Sequence, residues 1–263
     1  MRILVSNDDG INAPGIKALI NHLHDIATLL VVAPDREQSA IGTAVTLRQP
    51  LRLQKLSSFH GQIDSYAVEG TPADSVILAL AKLAEGQIDL VISGINQGSN
   101  LGDDVLISGT VGAALQGYLR GIPTLAVSLA APNHAKKLYF DNAARLTRLL
   151  VLQFSSGEFR DNTFLNINVP NQPLDKIQGL RITRMAHETH IETVEEGYDG
   201  RRAYYWLRRQ NVYENVDQRT DIWAIKNDYI SVVPLHRLFR PRAATMLNAK
   251  WASELFTRLK TGD

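Results

Sequence analysis

The sequence predicts an α/β protein, a mostly parallel sheet with helices on both faces followed by a β-hairpin excursion. Three observations carry this. Short apolar runs rich in Val, Ile and Leu alternate with stretches apolar at helical spacing from Arg2 to Val169. The runs are apolar throughout rather than alternating, as strands covered on both faces are. After Pro170 the alternation stops and short β-type runs take over.

Taken in order, Ile3-Leu4-Val5 reads as a buried strand feeding an Asn-Asp-Asp-Gly turn. Ile16, Leu19, Ile20 and Leu23 place a helix over Gly15 to Ile26, and Leu29 to Ala33 is a second strand stopped by Pro34-Asp35. Thr71-Pro72-Ala73-Asp74 starts a helix with a capping Thr, a Pro in the first turn and an early acid. Leu90-Val91-Ile92 and Leu125-Ala126-Val127 are further strands, with a helix from about Val111 to Leu119 between them. Ala135 to Phe154 reads as one long helix and Phe164 to Val169 as the next strand. Ala203 to Leu207 belongs to the hairpin excursion and Ile230 to Pro234 returns to strand. Ala249 to Leu259 is helical, with Trp251, Leu255 and Leu259 on one stripe. The expected division is one α/β domain over 1–263: a core at 1–170, an excursion at 171–229, and a returning strand with an oligomerisation tail at 230–263.

Composition removes several classes of function. The 28 Lys and Arg against 27 Asp and Glu leave a formal charge of +1, which gives no electrostatic case for a stable nucleic-acid partner or a membrane surface. With no cysteine there is no disulfide, thiolate metal site or cysteine nucleophile. The three-residue apolar run after Arg2 is far shorter than the ~7–15 residues of a signal-peptide core, and the run near Leu149 to Phe154 is broken by Gln153. A cytoplasmic address is the expectation. The phosphate loop G-x-x-x-x-G-K-[ST], a G-x-G-x-x-G after the first strand and the G-x-S-x-G elbow are all absent.

In open α/β sheets ligands bind beyond the carboxyl ends of the strands, so the segments that follow strands carry the chemistry. After the first strand, Asp8 and Asp9 set two carboxylates side by side, which repel unless a cation relieves them; a hard divalent cation suits such oxygen ligands. The alternative is a polar turn. After the second strand comes Glu37-Gln38-Ser39-Ala40, where Ser39 can approach the acids or merely cap a turn. The third segment runs from Ser93-Gly94-Ile95-Asn96 to Ser108-Gly109-Thr110. Its glycines allow close backbone approach, and Ser-Gly-Thr at a helix N-terminus offers N–H groups, hydroxyls and a dipole to an anion. A long loop with a Ser/Thr cap is the plainer alternative. His187-Glu188-Thr189-His190 lacks the spacing of zinc peptidases, and Arg201-Arg202 and Arg208-Arg209 beside Tyr204, Tyr205 and Trp206 read as a solvated hairpin face, with a surface that stacks on or holds a nucleotide or polyanion as the alternative.

The N-terminal Met1-Arg2-Ile3-Leu4-Val5-Ser6-Asn7-Asp8-Asp9-Gly10, then Val32-Ala33-Pro34-Asp35-Arg36, Ser93-Gly94-Ile95-Asn96 and Ser108-Gly109-Thr110-Val111 resemble the SurE family of acid-phosphatase-like 5′/3′-nucleotidases. The likeness continues through Tyr204-Tyr205-Trp206, Thr220-Asp221 and Tyr229 to Leu235, nearly the whole chain. The resemblance implies a Rossmann-like core, a C-terminal element swapped in a homodimer or homotetramer, and metal-dependent hydrolysis of nucleoside 5′- and 3′-monophosphates, with short polyphosphate as a further candidate substrate. It implies one divalent cation per subunit, Mg²⁺ or Mn²⁺, held by Asp8, Asp9, Ser39 and Asn96. Asn96, Ser108, Gly109 and Thr110 would line the phosphate, and Asp8 is the candidate to orient or deprotonate the attacking water. Ile107 stands where the family often has Tyr. A non-catalytic protein that binds metal and a phosphorylated ligand through the same loops is the competing function.

Overall fold

The computed structural model describes residues 1–56, 63–132, 135–157, 163–187, 191–209 and 216–235. The core alternates β1 (Arg2–Ser6), α1 (Pro14–Leu23), β2 (Thr28–Pro34), β3 (Leu53–Lys55), β4 (Asp64–Val68) and α2 (Pro72–Leu78). It continues with β5 (Leu90–Gln97), α3 (Gly109–Tyr118), β6 (Thr124–Ala130), α4 (Phe140–Ser155) and β7 (Phe164–Pro170). Then come β8 (Gly179–Ile182), β9 (Ile191–Tyr198), β10 (Ala203–Arg209), α5 (Asp221–Lys226) and β11 (Tyr229–Pro234).

Among the described residues a nine-stranded sheet runs in the order β3-β4-β2-β1-β5-β6-β7-β11-β8. Pairing from β4 across to β7 is parallel. Only β3 against β4 and β11 against β7 run antiparallel within this sheet. Alternate residues of β1 serve opposite layers: Ile3 and Val5 join Ile16, Leu19 and Leu23 of α1 and Ala143 of α4, whereas Leu4 joins Val76 of α2 and Ala113 of α3. Helices therefore cover both faces, and the buried strands need no polar side, as their apolar runs predict. β9 and β10 form a separate two-stranded sheet over the expected excursion.

The chain winds from β1 outward to β2, then returns to place β5 on the other flank of β1. Strand order thus reverses between β1 and β5, and the crevice beyond their carboxyl ends is the expected ligand site.

Several boundaries differ from the sequence expectation. α4 starts at Phe140 rather than Ala135, because the Asn171 side chain takes the Tyr139 N–H and the Lys137 carbonyl, both at 2.9 Å, that a helix would have used. β5 continues past Ile92 to Gln97 through a register shift against β6 between Ser93 and Asn96. Gly94 permits this: its φ is +140°, and a Cβ there would fall 2.3 Å from the Val127 carbonyl oxygen. α3 begins at Gly109 with Ser108 as its cap, the Ser108 hydroxyl accepting the Val111 N–H at 3.2 Å. Thr71 caps α2 as expected, and Asp74, expected only as an early acid, returns the bond to make the cap reciprocal. β3, β4, β8 and α5 are additions too short or too polar for their periodicity to have shown. The Ala249 to Leu259 stripe lies outside the described residues, as does any exchange of the C-terminal element.

Candidate active site

The three loops meet in a cleft of about 550 Å³ lined by Asp8, Asp9, Glu37, Ser39, Asn96 and Ser108 among others. Asp8 and Asp9 leave the end of β1, Ser39 follows β2, Asn96 sits near the end of β5, and Ser108 caps α3. The switch point of the sheet thus gathers residues that are far apart in sequence.

Asp8 is almost fully buried, and its Oδ1 accepts the Thr110 hydroxyl at 2.5 Å while its carbonyl accepts the Gln38 N–H at 2.7 Å. Asp9 Oδ2 accepts the Gln97 N–H at 2.8 Å. Burial pushes the Asp8 carboxyl up to about 6; the Thr110 hydroxyl and N–H draw it down, and Glu37 adds repulsion. Burial first, then the Asp8 charge, pushes Asp9 up to about 7. Two carboxylates forced together in a low dielectric resist ionising, and a cation between them reverses that resistance.

The neutral groups are arranged to help. Ser39 donates its proton to Glu37 Oε1 at 2.6 Å, which leaves its oxygen lone pairs for a cation. Asn96 spends its Nδ2 on the Gly98 carbonyl at 2.9 Å, so its Oδ1 is the atom left for a ligand. Just before the acids, Ser6 Oγ and Asn7 Oδ1, with Ser93 Oγ in register beside Ser6, are buried without hydrogen-bond partners among the described residues. Among the described residues there is no cluster of three or more His, Cys, Asp and Glu able to hold a metal. The set brought together here is instead two carboxylates with neutral oxygens, the hard-donor chemistry that suits Mg²⁺ or Mn²⁺.

Ser108 reaches the cleft, and Gly109 opens α3 beside Asp8: a Cβ on it would lie 2.8 Å from Asp8 Cβ and 3.1 Å from the Gln38 carbonyl oxygen. Thr110 is fully buried and turns its hydroxyl to Asp8 rather than into the cleft. Glu37, Asn100 and Asp104 also line the cleft; the sequence reading placed them in the candidate loops without giving them a role, and it missed the Gln97 N–H that holds Asp9. One signal was available: Asn166 and Asn168 alternate with apolar residues in the buried strand β7, and both donate to the Asn100 carbonyl, at 2.9 and 3.0 Å. His187 is exposed, while residues 188–190 lie outside the described set. Tyr204, Tyr205 and Trp206 are exposed on the hairpin. No helix among the described residues is long and apolar enough to cross a membrane.

The electrostatics set a pH dependence. A carboxyl whose folded pKa is raised stabilises the fold below its unfolded pKa near 4, and that contribution is lost as pH rises through the folded value. Metal-free protein should therefore lose stability from this pair as pH rises from about 4 to about 7, on the order of 3 kcal/mol of it from Asp8 by about pH 6. Melting curves of the parent minus those of an Asp8→Asn, Asp9→Asn double variant isolate the effect from other carboxyls. Cation binding must displace the same protons, so Mn²⁺ affinity should fall as pH drops from 7 to 6. Proton release measured by calorimetry in buffers of different ionisation enthalpy checks this.

An α/β sheet with an oxygen-lined acidic crevice at its switch point, faced by a helix N-terminus, defines a doubly wound protein with its polar cleft at the carboxyl ends of its strands. The chain belongs to the SurE family: the family model described as "Survival protein SurE" matches residues 3–192. It is 55% identical over 256 residues to a protein of Dehalococcoides mccartyi (strain CBDB1) named "5'-nucleotidase SurE", covering 97% of this chain and 96% of that one. A protein of the same name from Legionella pneumophila (strain Paris) is 44% identical over 237 residues, 90% of this chain and 91% of its own. The crystal structure of the SurE protein from Aquifex aeolicus superposes with a TM-score of 0.81 at 34% identity, covering 96% of this chain and all of that one.

Proposed function

We propose that this chain is a divalent-metal-dependent phosphomonoesterase that hydrolyses nucleoside 5′- and 3′-monophosphates to nucleoside and phosphate, with short polyphosphate as a further candidate. The observation that carries the reading is the buried Asp8 with the half-buried Asp9 beside it, set at the switch point opposite the N-terminus of α3. The names of the relatives support the substrate class.

Asp8, Asp9, Ser39 and Asn96 would hold one Mg²⁺ or Mn²⁺ per subunit. A cation there supplies Lewis-acid polarisation of the phosphoryl group and acidification of water. Thr110 fixes Asp8 by its hydroxyl, so that Asp8 orients or deprotonates the attacking water. Ser108 accepts from Val111 and keeps its own proton to donate to a phosphate oxygen. The N–H at Gly109 and the helix dipole offset the charge spread over the equatorial oxygens, while Thr110 spends its hydroxyl and N–H on Asp8. Asn96 closes the phosphate side of the cleft.

The test is phosphate release from a panel of nucleotides, p-nitrophenyl phosphate and short polyphosphate against Mg²⁺ and Mn²⁺. Binding of both metal and nucleotide without release would establish the non-catalytic alternative. Ser39→Ala should weaken Mn²⁺ binding about tenfold, with activity recovering in part at high Mn²⁺. Unchanged metal dependence would remove Ser39 from the ligand set.

The proposal includes a homodimer or homotetramer in the cytoplasm. Val194, Tyr198, Tyr205 and Leu207 expose apolar surface on one face of the hairpin and Tyr204 and Trp206 on the other, which a second copy would cover; the sequence stripe of Trp251, Leu255 and Leu259 would add to the same assembly. Residues 1–170 would act as the core, 171–229 as the excursion and 230–263 as the oligomerisation segment. Light scattering of the full chain should exceed the monomer mass, and a chain ending near Pro241 should scatter as a smaller species. A monomeric full chain would contradict this.

A further inference from the structure

We infer that Asp221 is a positioning residue for the substrate cleft: its buried carboxylate clasps the cleft wall at residues 98–108 to the base of the hairpin excursion. The inference rests on the proposed phosphomonoesterase reading and deepens it.

Asp221 is fully buried. Its Oδ2 accepts the Gly102 N–H at 2.9 Å, and its Oδ1 accepts the N–H groups of Ala186 and Ile222, each at 2.9 Å. These donors come from the turn of 3₁₀ helix at Gly102–Leu106, the chain entering the hairpin, and the first turn of α5. The Asp221 N–H donates to the Arg184 carbonyl, and the Arg184 N–H donates to the Arg219 carbonyl, both at 3.0 Å. The strands into and out of the excursion therefore cross at this one carboxylate. Leu101, Ala186 and Ile222 pack around it as a small apolar cluster. Burial raises the Asp221 carboxyl pKa in spite of its backbone donors, so the charge is kept there at a desolvation cost.

The wall is fastened at a second point. The Asn100 N–H donates to Asn168 Oδ1 at 2.9 Å, and Asn100 Nδ2 donates to Ser128 Oγ at 2.8 Å. Gly98, Ser99, Asn100, Asp104 and Ser108 of this wall face the cleft. An apolar side chain at position 221 could fill the space but would leave three backbone N–H groups unsatisfied. With that clasp loosened, the wall would shift against the acids of β1. Asp8 and Asp9 would stay in place, and Asn96 would keep its strand register opposite Ser128. Ground-state binding of the phosphate ester would suffer, and the cation site would not.

The experiment compares the full-length parent with Asp221→Asn, an isosteric change that turns an amide NH₂ toward at least one of the donors. Parent activity is established first, and a parent that releases no phosphate from any ester overturns the catalytic reading and this inference with it. With an active parent, Asp221→Asn should raise KM for AMP about tenfold at saturating Mn²⁺ with a smaller change in kcat. Mn²⁺ affinity by calorimetry should stay within about twofold, because the Gly98 carbonyl that orients Asn96 is held by the Gly98 N–H on the Leu129 carbonyl at 2.9 Å and not by Asp221. Amide exchange should quicken at residues 98–104. Val151→Ala, on the buried face of α4, should lower the melting temperature and leave KM unchanged. If Asp221→Asn does not fold, Asp221→Ser, whose hydroxyl and an admitted water can reach two donors, carries the same readouts. An active parent whose Asp221 variant keeps its KM and its exchange pattern, or loses Mn²⁺ affinity in step with KM, overturns the inference alone.

Discussion

Replacing Asp9 with Asn is expected to cut metal-dependent phosphate release from AMP by at least about 100-fold, and Asp8→Asn by as much or more. The metal-free variants should be as stable as the parent or more so, because each removes one charge from a pair that repels in a buried setting. The parent should gain about 2.7 kcal/mol from Mn²⁺ at 100 times its Kd, a rise of roughly 5–10 °C in melting temperature. The variants should lose most of that gain. If the acids served only to shape a turn, the substitutions would lower stability, leave the metal response in place and reduce activity only in step with folding. Thermal melts with and without Mn²⁺, beside steady-state kinetics, separate the two.

Gly109→Ala is expected to have the second largest effect. Its Cβ would lie 2.8 Å from Asp8 Cβ and 2.9 Å from Asp8 Oδ2, with the Gln38 carbonyl oxygen 3.1 Å away. Asp8 has little room to retreat, since it is buried and held by Thr110. The crowding should cost about 1–3 kcal/mol, expressed as a displaced Asp8. Activity should drop about 10- to 100-fold, with Mn²⁺ binding weakened in parallel. Kinetics and calorimetry on the same preparation check it; normal Mn²⁺ affinity with full activity would show that the helix start can slide without moving Asp8.

The parts of the molecule legible in the sequence are those where one local pattern decides the outcome. Ile3-Leu4-Val5 is apolar on both faces and ends in acids, so both the strand and the position of Asp8 and Asp9 at its carboxyl end followed directly. The resemblance then supplied Ser39 and Asn96, which spacing alone leaves indistinguishable from turn residues. What escaped depends on contacts between distant segments. α4 begins late because Asn171, from beyond β7, captures the backbone at Lys137 and Tyr139. β5 extends through Ser93-Gly94 because only a glycine fits against Val127, a neighbour set by sheet order. Thr110 looked like a donor to an anion, and its hydroxyl is engaged by a carboxylate 102 residues earlier. Thr220-Asp221 entered the sequence reading only as part of the family likeness, with no role; that role comes from three backbone donors that the fold brings together.

The most direct test of the central claim is phosphate release from AMP after EDTA treatment, with Mn²⁺ added back in steps, by the parent and by the Asp8→Asn, Asp9→Asn double variant. The account predicts that the parent is silent without metal and regains activity along its Mn²⁺ binding curve, while the folded double variant stays silent throughout. A double variant that still releases phosphate in a Mn²⁺-dependent way would place the metal and the chemistry elsewhere and contradict the account.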